Sequence, residues 1–550
     1  MLTKRMLALL FCLLVLLCCP LLYGQAIGSF SGTVTDKTGS VVAGATVKAT
    51  SQSTGASRAA TTDDSGHYLI PLLPVAIYTL RVEAQSFQAT EQRDIRLQLD
   101  EHREVNFTLA PASVSTQVEV SATQVAVQTS DATLGQVVTE QQVANLPLNG
   151  RDFVQLATLT PGVTQETNPN SFFNAGPSSE VSARGTISLS VGGSRASSTD
   201  WLFDGNDNNE LTGGGIAILP SIDAIQEFKV LTYNYSAEYG TRAGPTVLVT
   251  TKSGSNQLHG TLFEFFRNTS LDARSYFAAT KEKFNLNQFG GALGGALQKD
   301  KTFFFVDYQA KQQRHGTPFV GTIPTPADKT GDFRGDPFIV NTVTPGLLAN
   351  PYADPLAGDP PNFQCVPGTE NLPVPTSEPI NAHGGQTIGT PCNFIPGGLI
   401  NSVGQNLINL YPTGNPTFLT IGTNYSNVPV RKLNEGEFDI RLDHNFSSKD
   451  TAFARFSYDQ ATSFVPGGSP GFAEQGAFAS TQTITNHGRN VAISETHIFS
   501  DHNINQITAG FNRIFNHILS FGDRSCEAQK LGIQGADLNS LCGPQAPGVV

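Results

Sequence analysis

The sequence predicts a mainly β protein built as a small N-terminal β-sandwich, an α+β middle domain, and part of an antiparallel transmembrane β-barrel. Three observations predict this. First, the 550 residues include 53 Gly, 32 Pro and 35 Phe but are only 15% charged, a composition of strands, turns and long loops rather than of a charge-driven disordered chain. Second, the chain opens with an export leader and contains no later apolar run long enough for a spanning helix, so any membrane crossing must use strands. Third, strand-length stretches near the C-terminal end alternate polar and apolar residues and are joined by short turns and long loops in turn. Forty-six acidic against 34 basic residues give a net charge of −12, which argues against a nucleic-acid partner needing a basic face.

Residues 1–26 read as a signal peptide. Lys4 and Arg5 precede an apolar run from Met6 to Cys19, Pro20 ends it, and Gly24-Gln25-Ala26 offers small residues for cleavage. A membrane anchor would need a longer uninterrupted run, and neither Cys18 nor Cys19 follows the small residue that lipidation requires.

Residues 27–112 carry short strand-like runs beginning near Ser29, Val41, Gly66, Tyr78 and Arg103, separated by turn signals at Asp36–Gly39 and Thr61–Gly66. This spacing predicts an antiparallel sandwich. The pattern GTVTD with GATV, GHY and YTLRV resembles the carboxypeptidase-regulatory-like domain. The resemblance implies a carbohydrate-binding-like fold without peptidase chemistry, used for structure or docking or, as the alternative, for ligand binding.

Residues 113–255 begin with the alternating segment Val118, Glu119, Val120, Ser121, Ala122. Phe153, Leu156 and Leu159 then fall at helical spacing before Pro161, and Phe228–Leu231 and Thr246–Thr251 read as strands. LNGRDF, LTPGV, the turn Phe203-Asp204-Gly205, DAIQEFKV, AEYG and TKSGSNQLHG occur in the order found in the plug domain of TonB-dependent outer-membrane transporters. The middle domain resembles that plug, most closely the Oar-like kind. Pro245 replaces a Gly usual there, and Ser190-Val191-Gly192-Gly193 is a looser version of the family's strand-and-glycine start.

Residues 256–550 carry the barrel pattern. Glu437, Asp439, Arg441, Asp443 and Asn445 share one face of a strand, and Phe438, Ile440, Leu442, His444 and Phe446 share the other. After the turn Ser447–Asp450 the alternation resumes, with Ala452, Ala454, Phe456 and Tyr458 opposite Arg455, Ser457 and Asp459. NQFGGALGGAL from Asn287 and KDKTFFFVDYQ from Lys299 resemble the family's first barrel strands. The Pro/Gly-rich stretch from about Arg314 to Asn434 reads as a large extracellular loop. Strand candidates lie near Gly260, Phe289, Phe304, Phe438, Phe456, Val491 and Ile507. Plugged transporters have about 22 strands, so the expectation is an N-terminal portion of such a protein or a truncated gene product, with an open sheet.

Four cysteines follow the leader: Cys365, Cys392, Cys526 and Cys542. An exported chain favours disulfides, three pairings are available, and sequence-local pairing, Cys365–Cys392 and Cys526–Cys542, is the simplest. Their spacing does not suit zinc. Gly467–Gly471 matches G-x-S-x-G, but Pro470 lacks the N–H that an oxyanion hole would use. Gly290–Gly295 mimics a phosphate loop without its Lys and reads instead as small residues where a strand passes the plug. Asp204, Asn206, Asp207 and Asn208 fail the calcium-loop pattern at Asn209 and Gly215, and His497 and His502 read as turn residues. No catalytic group, metal or cofactor is expected.

The family resemblance implies an outer-membrane receptor and transporter that takes up a siderophore, saccharide, peptide or vitamin. Its partners would be outer-membrane lipid and the TonB complex, which would pair with Val118, Glu119, Val120, Ser121 and Ala122 by strand addition. The competing readings are a surface-binding or adhesin-like protein on a barrel anchor and a periplasmic carbohydrate-binding protein.

Overall fold

The computed structural model describes residues 28–112, 118–121, 133–165, 189–210, 215–274, 276, 281–316, 319–334, 348–349, 356, 361–365, 368, 390–412, 424–466, 482–500, 503–520 and 531–533. The leader, Ala122, Gly467–Gly471, His502, Cys526 and Cys542 lie outside these residues.

The N-terminal unit is a sandwich of nine strands: β1 (Gly28–Asp36), β2 (Thr46–Ser51), β3 (Ser57–Thr61), β4 (His67–Leu73), β5 (Ala76–Glu83), β6 (Thr90–Leu97), β7 (His102–Glu104), β8 (Phe107–Leu109) and β9 (Val118–Ser121). One sheet runs β4-β1-β7, with β8 also on β1, and the other runs β3-β2-β5-β6-β9. Alternating positions of both sheets meet in a core of Phe30, Val34, Val47, Tyr78, Leu80, Val82, Ile95, Leu97 and Phe107. The Phe30 and Tyr78 rings meet edge-on at 5.5 Å. Strands β3 and β6 were not legible in the sequence. Strand β6 reads TEQRDIRL, a surface strand whose charges hide its alternation and whose Asp94 has φ +59°.

The middle domain contains β10 (Leu134–Thr139), β11 (Val163–Gln165), β12 (Leu189–Val191), β13 (Asp200–Phe203), β14 (Asn206–Asp207), β15 (Ile225–Tyr233) and β16 (Thr246–Thr251). Its main sheet has the order β10-β15-β16-β13-β14, with β13 and β16 parallel and the other pairs antiparallel. The stretch expected as a helix is a 3-10 helix, Phe153–Leu159, started by the Asp152 side chain accepting the Val154 N–H at 3.0 Å. Phe153, Val154, Leu156 and Ala157 are buried, whereas Leu159 is exposed, because the helix ends there at the Pro161-Gly162 turn.

The third unit is one antiparallel meander of seven strands: β17 (His259–Arg267), β18 (Phe284–Gln298), β19 (Thr302–Gly316), β24 (Val430–Asn445), β25 (Asp450–Val465), β26 (Gln482–Ser500) and β27 (Asn503–Ser520). Each contains one of the seven strand candidates. Between β19 and β24 the chain forms β20 (Phe319–Gly321) paired with β23 (Tyr425–Asn427), and β21 (Gln364–Cys365) paired with β22 (Thr390–Pro391). Most wall strands exceed the roughly ten residues that a bilayer needs, reaching 19 in β26, so they stand beyond the apolar band. Among the described residues the sheet is open, with β17 and β27 as its edges.

The alternation is inside-out, as a lipid-facing wall requires. Glu437, Asp439 and Arg441 are buried against the middle domain, while Ile440, Leu442 and Phe446 are exposed. The short turns at Lys299–Lys301 and Phe446–Lys449 lie at one end of the wall. The sandwich lies there: the Asn256 N–H donates to the Ser53 carbonyl at 3.0 Å. Gly290 and Gly291 pack against neighbouring wall strands rather than the plug. A Cβ on Gly290 would lie 2.2 Å from the Tyr308 carbonyl and one on Gly291 2.7 Å from the Thr261 carbonyl. The same run does pass the plug at Gly295, whose carbonyl would lie 2.3 Å from a Cβ on Gly254, and the plug also meets Gly488 of β26 and Gly510 of β27, where an added Cβ would lie 2.5 Å from Ile218 and 2.2 Å from Asn206.

Candidate functional site: two seams around the middle domain

The turn Phe203-Asp204-Gly205 joins β13 to β14 through left-handed backbone, φ +49° at Asp204 and +77° at Gly205. This bend directs the Asp204 carboxylate back onto β16, where it accepts the Thr251 N–H at 2.9 Å and the Thr251 hydroxyl at 2.8 Å. Two wall arginines complete its shell. Arg455 Nε donates to Oδ2 at 2.6 Å and Arg441 Nη1 to Oδ1 at 3.2 Å. The Arg455 guanidinium also lies 3.7 Å from the Phe203 ring centroid, donates to the Phe203 carbonyl at 3.3 Å, and is held from behind by Asn490 at 2.9 Å. Burial pushes the Asp204 carboxyl up, but Arg441, Arg455 and the Thr251 donors outweigh it and hold the group below the usual carboxylate range.

Further polar contacts surround this centre. Asn490 donates to the Asp207 carbonyl at 3.1 Å and Asn512 to the Asn209 carbonyl at 3.1 Å. On the other side Arg151 pairs with Asp223, donates to Gln309 of the wall at 3.1 Å, and lies 3.9 Å from the Phe263 ring centroid. The large apolar core beside the plug sheet is drawn wholly from residues 138–249 and includes no wall residue. Around Asp204 and Arg151 the plug–wall contacts are polar and charge-paired.

The seam to the sandwich differs. The turn after β6 inserts Leu99 into a cluster with Leu202, Leu231, Tyr239 and Leu248 of the plug. The Leu99 N–H donates to buried Glu227, whose other oxygen lies 3.5 Å from Arg96. Lys229 Nζ holds the Asp100 carbonyl at 2.7 Å and its carboxylate at 2.9 Å. Burial pushes the Glu227 carboxyl up to about 7, against the lowering effect of the Leu99 N–H and Arg96. This seam thus has a small shared apolar centre, Leu99 set among plug residues.

The coupling candidates fall on the sandwich. Val118, Glu119, Val120 and Ser121 form β9, paired in parallel with β6. Cys365 and Cys392 are joined by a disulfide with Cα atoms 5.7 Å apart, buried with Phe394 inside the excursion between β19 and β24. That excursion also holds the helix Ser402–Asn409, capped by Asn401, and a cavity of about 330 Å³ lined by Phe333, Leu348, Phe363, Ile395, Leu399 and Ile408. The described residues of the excursion thus pack against one another. His497 hydrogen-bonds Asp450, which also accepts the Ser447 hydroxyl at 2.6 Å, and Glu495 lies close enough to complete a three-donor cluster.

The Asp204 centre was read in the sequence only as a turn. One signal could have located it. The turn Ser447–Asp450 sets the hairpin register that places Arg441 directly across from Arg455. Two like charges opposed on an inward face are unfavourable unless an anion lies between them.

A polar inner face of the wall, a plug sheet docked against it, and a small sandwich at its short-turn end define a plugged outer-membrane barrel protein. The chain belongs to the outer membrane beta barrel domain family, whose model matches residues 250–549. The carboxypeptidase regulatory-like domain matches residues 29–110. A TonB-dependent transporter Oar of Myxococcus xanthus is 27% identical over 322 residues, which cover 55% of this chain and 29% of that relative. The chain thus spans under a third of that relative's length. Among solved structures, the outer membrane transporter YddB of Escherichia coli is similar with a TM-score of 0.40 at 9% identity, over 70% of this chain and 40% of that one. The siderophore receptor PirA of Acinetobacter baumannii gives 0.38 at 13% identity, with the same coverage.

Proposed function

We propose that the protein is an outer-membrane receptor and transporter whose plug is moved from the periplasm by the TonB complex. The observation that carries this reading is the contrast between the two seams. A pull applied on the periplasmic side acts on sandwich and plug together, because Leu99 and its partners join them through an apolar cluster. The seam that yields is the polar one at Asp204, Arg441 and Arg455, whose groups water can solvate once separated. The extracellular module with its Cys365–Cys392 staple is the candidate first contact for the substrate, from the siderophore, saccharide, peptide and vitamin classes. The coupling segment is Val118–Ser121 with Ala122, engaged by strand addition, and residues 1–26 direct export.

The test is uptake by cells producing the protein, measured across labelled members of those four classes with and without dissipation of the proton-motive force. Uptake of one class that stops on dissipation, while surface binding persists, is the expected result. Binding without energy-dependent uptake of any class would favour a surface-binding protein on a barrel anchor. Recovery only in the soluble periplasmic fraction would overturn both.

A further inference from the structure

Away from the short turns, the outward face of β26 and β27 is apolar over Val491 and Ile493 and over Ile507 and Phe511, and Ile493, Ile507 and Phe511 are exposed. At the far limit of this band stand Arg489 and Arg513, both exposed and directly opposite one another in the ladder. Tyr458 lies on the other side of Arg489, and Phe438 beyond it, with their ring centroids 5.6 Å apart. The arginines thus extend an aromatic row of the kind that barrels place at the bilayer interface. Outer-membrane barrels keep their short turns in the periplasm, so this interface is that of the outer leaflet. Like charges directly opposed across a ladder repel. On the inward face the opposed pair Arg441 and Arg455 encloses the Asp204 carboxylate. The outward pair has no such anion: among the described residues neither Arg489 nor Arg513 makes an ion pair or a hydrogen bond. The chain has 46 acidic residues, yet the outward neighbours along the two strands are Val491, His487, Phe511 and Phe515. With Tyr458, His487 and Phe515 the two arginines line a hollow of about 210 Å³. The Tyr458 hydroxyl donates to Gln460 at 3.0 Å and lies 3.1 Å from His487 Nδ1, which fixes the rim of the hollow.

We propose that Arg489 and Arg513 clamp a phosphate group on the headgroup of an outer-leaflet lipid, whose acyl chains lie along Val491, Ile493 and Phe511. Two guanidinium forks match the oxygens of a phosphate, and the shared anion removes the repulsion between them. A lipid-facing arginine is costly at the bilayer centre and least so at the interface, where its apolar stem covers the band and its head reaches the headgroups. A free phosphate would fit the forks but would leave the apolar residues beside them uncovered, whereas a phosphorylated lipid meets both. The site lies on the outside of the wall, across the sheet from the plug. A lipid held there fastens the wall to the bilayer and is not cargo, so the assignment stands apart from the transport reading.

The test is native mass spectrometry of the full-length protein, purified from outer membranes into detergent micelles. The probes are bisphosphorylated lipid A, the same lipid after phosphatase treatment, and inorganic phosphate. The expected result is retention of the phosphorylated lipid, with retention at least about tenfold weaker once its phosphates are removed. Inorganic phosphate at equal concentration should not compete. Arg489→Gln with Arg513→Gln should abolish the preference for the phosphorylated lipid, while limited proteolysis shows the wall strands unchanged. Equal retention of the two lipids overturns the proposal, as does a preference that survives both substitutions. Displacement by an equal concentration of inorganic phosphate also overturns it, because the site would then be one for a free anion. If the double variant loses protection of its wall strands, the single variants Arg489→Gln and Arg513→Gln decide the matter by the same comparison.

Discussion

Arg455 and Asp204 are 251 positions apart in the chain, yet Nε and Oδ2 meet at 2.6 Å with both side chains out of solvent. The pair joins a strand of the wall to a turn of the plug, and Arg441 adds a second cation to the same carboxylate. A buried pair of this kind is weak evidence for net stability, since desolvation offsets much of the attraction, but it is costly to break from one side.

Asp204→Asn is therefore expected to loosen the plug by about 3–5 kcal/mol, because it leaves Arg455 buried without its anion. The wall should still form, as its strands are joined by their own ladders. Limited proteolysis in membranes, mapped separately to the plug and to the wall strands, reads the two effects apart. Unchanged plug protection would show that Asp204 does not fasten the seam.

Gly488→Val places side-chain atoms where Ile218 and the Ala217 carbonyl already lie. Overpacking of this kind costs about 1–3 kcal/mol, here at the plug–wall seam. Faster proteolysis of the plug in membranes is the expected readout. A variant as tight as the wild type would mean that β26 moves aside to accept it.

Docking of the sandwich should depend on pH through Glu227. Its carboxyl titrates near 7 when docked and near 4.5 when exposed, so the docked state binds the proton more tightly. The stabilisation is fully present below about 4.5 and is lost as pH rises towards 7, by about 3 kcal/mol in all. Arg96, Glu101, Lys229 and Asp100 share this seam. Hydrogen exchange of the Leu99 amide, corrected for intrinsic rate, should show protection declining over that window. Glu227→Gln should flatten the dependence, and an unchanged slope in that variant would assign it to another group.

The Cys365–Cys392 bond joins positions 27 apart in the chain. Loop-closure entropy predicts that Cys365→Ser loosens the module between β19 and β24 by roughly 3–4 kcal/mol, seen as proteolysis within that excursion while the wall stays intact. Non-reducing peptide mapping should recover Cys365–Cys392 and, by the same sequence-local pairing, Cys526–Cys542. A crossed pair or free thiols would refute the assignment.

The sequence by itself determined the wall. A strand that alternates Glu437, Asp439 and Arg441 with Phe438, Ile440 and Leu442 has only one way to face lipid, and the short turn at Ser447–Asp450 sets its register. It also marked the sandwich through alternating apolar positions such as Phe30, Val34, Tyr78 and Leu80. Strand β6 stayed hidden because its charged outer positions and its break at Asp94 leave too little pattern. What only the tertiary structure decided is how the units are joined. Asp204 lies in a turn that reads as any other turn, Leu99 follows a surface strand without a clear period, and Val118–Ser121 is a run as short as many others. Each acquires its role from a partner far away in the chain: Arg455 and Arg441 for the first, Leu231 and Glu227 for the second, and β6 for the third. Local pattern records which side of an element is buried, whereas the choice of partner is made by contacts between elements that no local period encodes.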